Sequence, residues 1–247
     1  MTTATVLLLA VMMLAVASLY SSVGQAGASG YLAAMALMNV EPAVMRPTAL
    51  ALNVIVACVA TYKFRQMGSV SWRSLWPFAV CSVPAAFVGG RILLPGPYYR
   101  PVVAAALLFA ACVLAFAKRD PESATVRKPR VAQAMVAGTA IGFASGLTGV
   151  GGGIFLSPLL LFMGWAGPRE ASGLSAVFIL VNSASALAGV LAAGQTLSPA
   201  VPLWAGAAVT GGYLGAHFGS RHLGEVALRR LLAIVLVVAG LRLALAG

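Results

Sequence analysis

The chain has 247 residues, of which 61% are hydrophobic and 9% are charged, and its mean hydropathy is +0.97. A soluble domain carries roughly 25% charged residues, so this composition excludes a water-soluble globular protein and indicates a polytopic membrane protein in a lipid bilayer. The formal net charge of +11 comes from Lys and Arg in short loops between apolar runs, which is typical of membrane topology signals and does not indicate a nucleic-acid-binding protein.

Apolar runs predict an all-α protein with five helical segments in each half. Those of the first half are 3–22, 29–39, 43–62, 72–92 and 98–117. Those of the second half are 131–147, 154–164, 171–194, 199–220 and 226–246. The second segment of each half is about 16 Å long, roughly half of a bilayer, so it either spans as part of a broken helix or is re-entrant.

A glycine-rich stretch occurs once in each half. The chain reads VGQAGASG at 23–30 and GLTGVGGG at 146–153, and Pro42 and Pro168 fall at matching positions after them. We interpret 1–247 as one transmembrane domain made of repeat 1 (1–117), a hydrophilic linker (118–130) and repeat 2 (131–247). A helix-breaking segment repeated in both halves is the sequence pointer to the binding site of a secondary transporter.

Basic residues predict the orientation, because Lys and Arg favour the cytoplasmic side. The linker 118–130 is strongly basic, and most other Lys and Arg residues fall on its side when the segments are counted in order. The linker is therefore expected in the cytoplasm and both termini outside, in the inner membrane of the cell. Each half then crosses an odd number of times, which predicts inverted repeats and transport by alternating access.

The two glycine breaks are the predicted substrate site. A helix that starts after a break directs free N–H groups and its positive dipole end at the midplane, an arrangement that binds anions. Close helix packing and interhelical hydrogen bonding are the alternative roles of such small and polar residues. The predicted binding residues are Gly24, Gln25, Gly27, Ser29, Thr48, Asn53, Gly149, Gly151, Gly152, Gly153, Ser157, Ser175 and Asn182.

Charged residues near the spans are few, and no acidic residue lies deep in a predicted span. This argues against transport of a metal cation and leaves proton coupling without an obvious relay. Coupling or attraction of an anion is the hypothesis for five residues, with snorkelling to the interface as the alternative for the basic ones. These residues are Glu41, Arg46, Arg91, Glu170 and His217.

Other classes of function find little support in the sequence. It has no nucleotide-binding loop, no catalytic motif and no metal-ligand spacing, so we predict neither an enzyme nor a cofactor. The three cysteines, Cys58, Cys81 and Cys112, are expected to be buried as small apolar side chains. Two rival functions stay open, an anion channel on the same fold and a membrane enzyme or accessory subunit. Self-association into a homo-oligomer is also left open.

The second glycine stretch resembles the sulfite exporter TauE/SafE family, also called the TSUP transporters. The resemblance rests on GLTGVGGGIFLSP at 146–158 and its echo at 23–30, with support from PTALALN at 47–53, LWPF at 75–78 and SGLSA at 172–176. It covers essentially the whole chain and implies export of small sulfur-containing anions such as sulfite, sulfoacetate or related sulfonates. The chain has Gln25 and Ala26 where its second copy has glycines, an asymmetry that bears on specificity.

Overall fold

The computed structural model describes residues 2–22, 27–116, 127, 129–222 and 225–245, and at 22, 114, 116, 215–222 and 225–229 it describes the backbone without the side chain. This part of the chain forms ten α-helices and no strand. The helices are α1 (Thr3–Ser22), α2 (Ala28–Leu37), α3 (Pro42–Gln66), α4 (Trp72–Arg91), α5 (Gly96–Phe116), α6 (Val131–Thr148), α7 (Gly153–Phe162), α8 (Pro168–Ala192), α9 (Val201–His222) and α10 (Glu225–Leu245).

Each predicted segment corresponds to one of these helices, so the all-α prediction is confirmed. The largest difference lies at the end of α3, which continues to Gln66 beyond the expected end at Tyr62. The extra turn is polar, and Lys63 and Arg65 lie in it. Both are good helix formers, and both interact favourably with the negative end of the helix dipole. A search for apolar runs therefore ends the helix too early.

The two longest helices, α3 and α8, begin and end alike. Each has 25 residues and starts with a proline, which fits the first turn because its missing N–H group would have no acceptor there. Each is followed by a left-handed glycine, Gly68 with φ 66° and Gly194 with φ 86°. The next residue then donates back into the last turn, Ser69 to Phe64 and Gln195 to Val190, as in a Schellman motif.

The two short helices α2 and α7 have ten residues each, so the expected half-length segments are confirmed. Positive-φ residues end both of them, Asn39 after α2 and Gly164 after α7. Both helices are strongly apolar, and α2 is buried along nearly its whole length. A ten-residue helix is about 15 Å long, so neither helix crosses a bilayer alone.

The main helix contacts join the two halves of the chain. The most extensive ones pair α4 with α6, α1 with α9, α4 with α8, α5 with α10 and α3 with α8. Helices α1 and α6 are each the first helix of their half, and α4 and α9 are each the fourth. The contact of α1 with α9 therefore corresponds to the contact of α6 with α4 when the two halves are exchanged. Helices α3 and α8 are the most buried of the candidate membrane spans, and they place their side chains at the centre of the bundle.

Glycines bring α6 into backbone contact with α4. Three of them lie four residues apart on the face of α6 toward α4, at Gly138, Gly142 and Gly146. A Cβ atom on Gly142 would lie 2.3 Å from the carbonyl oxygen of Ser82, much closer than two such atoms can approach. Small residues at this spacing let helices approach closely, a common device in membranes.

Apolar side chains cover the outside of the bundle. Helices α1, α3, α5, α6 and α8 are long and apolar enough to cross a membrane, and large apolar side chains such as Val136 (71% exposed) and Phe162 (91% exposed) point outward. This surface fits a polytopic membrane protein, in which lipid covers the exposed apolar faces.

The cysteine prediction is wrong for two of the three residues. Cys58 and Cys112 are exposed, and Cys81 is half-buried. Their apolar neighbours in sequence do not distinguish a face toward lipid from a face toward the core, since both faces of a membrane helix are apolar.

Candidate functional site

The break between α6 and α7 contains three glycines in the left-handed region. Gly149 ends α6 with φ 85°, and Gly151 and Gly152 follow with φ 82° and 79°. This conformation costs other L-residues roughly 1–2 kcal/mol each, so the GxGG pattern is what allows the chain to leave one helix and start the next within four residues. Gly149 closes α6 by donating its N–H to the carbonyl oxygen of Ser145 at 2.8 Å.

The first N–H groups of α7 follow directly after the break. The amides of Phe155 and Leu156 both donate to the carbonyl oxygen of Gly152 at 3.1 Å, which makes Gly152 the residue before the helix. The N–H groups of Gly153 and Ile154 precede these bonds and have no acceptor in their own helix, as in the first turn of any α-helix. They carry the positive end of the α7 dipole, so this end of α7 is suited to an anion.

Gly151 lies between polar side chains of α3 and α8. A Cβ atom on Gly151 would lie 2.5 Å from Asn53 Nδ2 and 2.8 Å from Ser183 Oγ. Asn53 and Ser183 are both fully buried, and Asn53 Nδ2 donates a long hydrogen bond of 3.4 Å to the carbonyl oxygen of Val150. The break is therefore held between the two central helices, one from each half.

Buried polar atoms without partners are concentrated on the helices around this break. Burying a polar group without a hydrogen bond costs about 1–3 kcal/mol, so a set of them needs an explanation. Six residues of α3, α6 and α8 are at most 6% exposed and have a side-chain oxygen with no hydrogen-bond partner among the described residues: Thr48, Asn53, Ser145, Ser175, Asn182 and Ser183.

Arg46 is buried next to the break and binds backbone carbonyl groups. Its guanidinium donates to the carbonyl oxygen of Gly146 through Nε (3.0 Å) and Nη2 (2.6 Å), to Ile92 through Nη1 (2.8 Å), and to Gly89 through Nη2. These carbonyls belong to the ends of α6 and α4, where the helix dipoles are negative. Arg46 is 2% exposed, so the snorkelling interpretation does not hold for it.

Tyr99 caps the last turn of α6 from another side. Its hydroxyl donates to the carbonyl oxygen of Thr148 at 3.0 Å, while Arg46 donates to the carbonyl oxygen of Gly146. Side chains therefore satisfy carbonyl groups at the negative end of α6, whereas the positive end of α7 packs against Ile179, and Gly151 of the break lies against polar side chains of α3 and α8.

A pocket of about 190 Å³ adjoins Arg46. Its lining includes Arg46, Tyr99, Glu41 and Gln195, and the Cγ atom of Arg46 also lies 3.3 Å from the position of a Cβ on Gly149. Arg46 therefore contacts both the pocket and the first glycine of the break. The start of α3, the start of α5 and the loop after α8 surround it.

Comparisons with known proteins agree with this architecture. The family model described as "Sulfite exporter TauE/SafE" matches residues 8–243. The chain belongs to the TauE/SafE sulfite exporter family. It is also similar to the "Probable membrane transporter protein y4hK" of Sinorhizobium fredii (strain NBRC 101917 / NGR234), with 41% identity over 238 residues that cover 95% of this chain and 96% of that protein. No solved structure matches the chain.

Family membership confirms the resemblance drawn from the glycine motif and makes the protein a membrane transporter. The family description and the relative's name both concern transport, and the apolar spans agree with a membrane location. In this TauE/SafE member, the GxGG break is therefore a structural element of a transporter.

The structure brings together one part of the predicted site. Gly149, Gly151, Gly152 and Gly153 form the break, and Asn53 contacts it directly. Gly153 packs against Ile179 and lies near the carbonyl oxygen of Ser175. Asn182 donates to Phe178 of its own helix at 2.9 Å, and Ser157 is half-buried on α7.

The first break is described only from Gly27 onward. Gly24 and Gln25 lie outside the described residues. Gly27 precedes the first turn of α2, and the hydroxyl of Ser29 is hydrogen-bonded to that of Tyr20 at 2.7 Å. A substrate that contacts the Ser29 hydroxyl therefore has to share it with the hydroxyl of Tyr20.

The charged candidates lie away from the break, apart from Arg46. Glu41 is exposed beside the pocket, and Arg91 is exposed at the end of α4, which fits snorkelling. Glu170 accepts a hydrogen bond from Ser74 at 3.0 Å, so it links the starts of α8 and α4. The side chain of His217 lies outside the described part. Within the described residues, no group of three His, Cys, Asp or Glu side chains is placed to hold a metal.

Ser183 is the site residue that the sequence interpretation missed. It is fully buried, its hydroxyl has no partner among the described residues, and it lies against Gly151. Its spacing was a usable signal, since Ser175 and Ser183 are eight residues apart and thus on one face of α8. Its neighbour Asn182 was favoured instead because it lies seven residues after Ser175, a spacing that also places two residues on one helical face.

Proposed function

We propose that this TauE/SafE member is a secondary transporter that exports small sulfur-containing anions such as sulfite, sulfoacetate or related sulfonates. The observation that carries the proposal is the position of Gly151, which lies between Asn53 Nδ2 and Ser183 Oγ and just before Gly152 and the first turn of α7. Amide and hydroxyl donors at a helix start bind an oxyanion without requiring a buried lysine or arginine as a direct ligand.

That the substrate contains sulfur is inferred from the family alone. The family is described by sulfite export, while the similar protein from Sinorhizobium fredii is named as a transporter without a substrate. The groups around Gly151 are packed closely in this structure, so Asn53 and Ser183 have to move apart to admit an oxyanion, and a small one requires the least movement. A sulfite or sulfonate group has three oxygens, which can accept hydrogen bonds from donors on different sides of Gly151.

Alternating access is supported by the way the halves are combined. Helices α3 and α8 have matching ends, and the pairs α1–α9 and α4–α6 are counterparts. Two inverted repeats, 1–117 and 131–247, would rock around a site that each half helps to build. In this arrangement the linker 118–130 is cytoplasmic, both termini are outside, and the protein lies in the inner membrane.

Uptake of radiolabelled sulfite into proteoliposomes of the purified protein tests this function. Saturable uptake that sulfoacetate or thiosulfate inhibits is expected, and a pH gradient reveals whether protons are coupled. Gradient-driven uptake would direct attention to Glu41, Glu170 and His217. Folded protein that transports none of these anions would contradict the proposed substrate class.

The rival functions predict different results in the same vesicles. An anion channel gives ohmic currents and no counterflow, and an accessory subunit or membrane enzyme gives no flux in the purified system. Counterflow is the behaviour that separates a carrier from both, because labelled substrate then accumulates against the gradient of the label while unlabelled substrate leaves the vesicles.

A further inference from the structure

We propose that the pocket beside Arg46 is a second anion site, an outer vestibule through which the substrate leaves after it has passed the break. This inference rests on the proposed function and adds a binding site to it. The pocket has a volume of about 190 Å³, whereas a cavity needs only about 10–15 Å³ to hold one water. It therefore has room for a small oxyanion together with water, which the closely packed groups around Gly151 do not offer in this structure.

The starts of two helices meet at this pocket. A Cβ atom on Gly96, the first residue of α5, would lie 3.9 Å from Pro42 Cγ at the start of α3. The first amide to donate within the helix is that of Val44 in α3 and that of Tyr98 in α5. The N–H groups of Ala43 and Gly96 precede them and have no acceptor in their own helices. Both residues line the pocket, so two such amides and two positive dipole ends adjoin it.

Arg46 supplies a buried charge and one further donor. Its four hydrogen bonds to backbone carbonyls use the N–H group of Nε, both N–H groups of Nη2 and one of the two on Nη1. The second N–H group of Nη1 therefore has no acceptor among the described residues. Nη1 donates to Ile92, two residues before Leu94 in the pocket lining, so the remaining donor lies on the side of the pocket.

The charges around the pocket favour an anion. The starts of α3 and α5 contribute roughly half a positive charge each, and the carbonyl ends of α4 and α6 that bind Arg46 offset about as much. The charge of Arg46 itself then remains. Glu41 is the acidic residue of the lining, but it is exposed, whereas Arg46 is 2% exposed. Because exposed charges are screened more strongly than buried ones, Arg46 dominates the inner end of the pocket.

Gln195 adds a side-chain amide to the lining. Its Oε1 is buried and has no hydrogen-bond partner among the described residues. An unpaired buried acceptor is unfavourable, and half a turn about the last side-chain bond replaces it with the Nε2 donor. An anion in the pocket would accept a hydrogen bond from Nε2, so a bound ligand accounts for this amide.

The pocket lies between the break and the outside. Arg46 Cγ is 3.3 Å from the Cβ position of Gly149, and in the proposed topology the starts of α3 and α5 and the loop after α8 are outside. An anion that passes Gly149 therefore meets Arg46 first and then the exposed residues Glu41 and Ala43. It keeps part of its hydration at this exposed end, so we expect weaker binding than at the break. Low substrate concentrations then occupy the break, and only high ones fill the pocket.

Protection of a thiol in the purified protein tests the vestibule without transport. In a variant without native cysteines, Ala43→Cys places a thiol in the lining. Ala4→Cys is the matched control, because both residues are exposed and second in their helices. Sulfoacetate, well above the concentrations that saturate transport, should slow the reaction of Ala43→Cys with uncharged N-ethylmaleimide at least about threefold. It should leave Ala4→Cys unchanged, and chloride at the same ionic strength should protect neither thiol.

Two charge changes in the lining should shift this protection in opposite directions. Glu41→Gln removes a negative charge at the exposed end, so half-protection should need about threefold less sulfoacetate. Gln195→Glu adds a negative charge where a donor is expected, so it should need at least about tenfold more. Gln66→Glu is the control for the second change, since Gln66 is exposed at the far end of α3. The same half-protecting concentration in all three variants would overturn the proposed site.

A variant of the break shows which site gives the protection. Ala43→Cys should still be protected when Gly151→Ala is added, because that Cβ blocks the break and not the pocket. Protection that disappears with Gly151→Ala would assign it to the break and overturn the vestibule.

Flux in proteoliposomes separates failure of this inference from failure of the proposed function. Protein that transports sulfite while sulfoacetate protects neither thiol, or both equally, would overturn the vestibule and leave the transporter in place. Protection of Ala43→Cys alone, in protein that transports no sulfur-containing anion, would overturn the proposed function and the export role of the pocket while retaining the anion site.

Discussion

Gly151 is the residue at which left-handed backbone and the candidate site coincide. Its φ is 82°, and polar atoms lie 2.5 and 2.8 Å from the position that a Cβ would take, so there is room for hydrogen alone. Gly152 also has a positive φ, but a Cβ there would meet the ring of Phe178. Gly151 is therefore the more specific position for testing the site.

Gly151→Ala is expected to abolish binding of sulfite, because the methyl group displaces Asn53 and Ser183 from the break. Gly194→Ala is the control, since Gly194 has a φ of 86° and nothing within 4 Å of its Cβ position. Both variants carry the same backbone strain of roughly 1–2 kcal/mol, because both residues have a left-handed φ. Sulfite should raise the thermal midpoint of the wild type and of Gly194→Ala, but not that of Gly151→Ala. An equal response in all three would remove Gly151 from the site.

Arg46 is expected to contribute to stability through its planar, forked side chain. Arg46→Lys keeps the charge but cannot reach the carbonyls of Gly89, Ile92 and Gly146 together, so the free energy of unfolding should fall by about 1–3 kcal/mol. Arg91→Lys on the exposed end of α4 should change it by less than about 0.5 kcal/mol. Unfolding in detergent measures both, and similar losses would show that the carbonyl contacts are not what stabilises this region.

At the residue scale, the sequence predicted the glycine break but not the neighbours that complete it. The GxGG pattern favours left-handed backbone wherever it lies, so its local structure follows from the residues alone. The contact between Gly151 and Ser183 depends on how α7 docks against α8, which no local pattern encodes. The sequence left two interpretations of Arg46 open, attraction of an anion and snorkelling to the interface. Whether such a residue is buried depends on carbonyl groups that are far away in the sequence.

Helix α6 shows how element packing depends on the absence of side chains. Its glycines allow the backbone of α4 to approach, and α4 in turn packs against α8. These contacts place Gly146, and with it the break, against the carbonyl-binding Arg46. The position of the site is thus set by how closely α6 and α4 pack.

Gly142→Ala should destabilise the protein, because the new Cβ would lie 2.3 Å from the carbonyl oxygen of Ser82 and backbone atoms cannot move aside freely. Overpacking of this kind costs about 1–3 kcal/mol. Gly206→Ala in α9 is the control, since nothing lies within 4 Å of its Cβ position and replacing a helical glycine stabilises by about 0.5–1 kcal/mol. Thermal midpoints that move in opposite directions would agree with this packing, whereas two equal shifts would not.

Helix existence and length could be predicted from the sequence, since a bilayer demands apolar runs of defined length. The start of α3 at Pro42 was predicted to within about one residue, whereas the start of α8 at Pro168 was placed too late, at 171, and the end of α3 too early, at 62, because polar residues form those turns. Which face of each helix meets protein could not be predicted. Cys58 and Cys112 show the reason, because lipid and protein interior are equally apolar.

For the whole molecule, the arrangement of the halves predicts which loops share a side of the membrane. The loop after α3 should face the cytoplasm and the loop after α8 the outside. In a variant without native cysteines, Met67→Cys and Leu197→Cys place single thiols at exposed positions of these loops. A membrane-impermeant maleimide added to intact cells should label Leu197→Cys, and Met67→Cys only after permeabilisation. The reverse labelling would invert the proposed topology.

Alternating-access transport of sulfur anions around the GxGG break is tested most directly by counterflow. Proteoliposomes are loaded with excess unlabelled sulfite and diluted into a trace of radiolabelled sulfite without any ion gradient. We expect a transient accumulation of label above equilibrium that Gly151→Ala lacks and Gly194→Ala retains. Label that equilibrates without accumulating, or that does not enter vesicles containing folded protein, would contradict this mechanism.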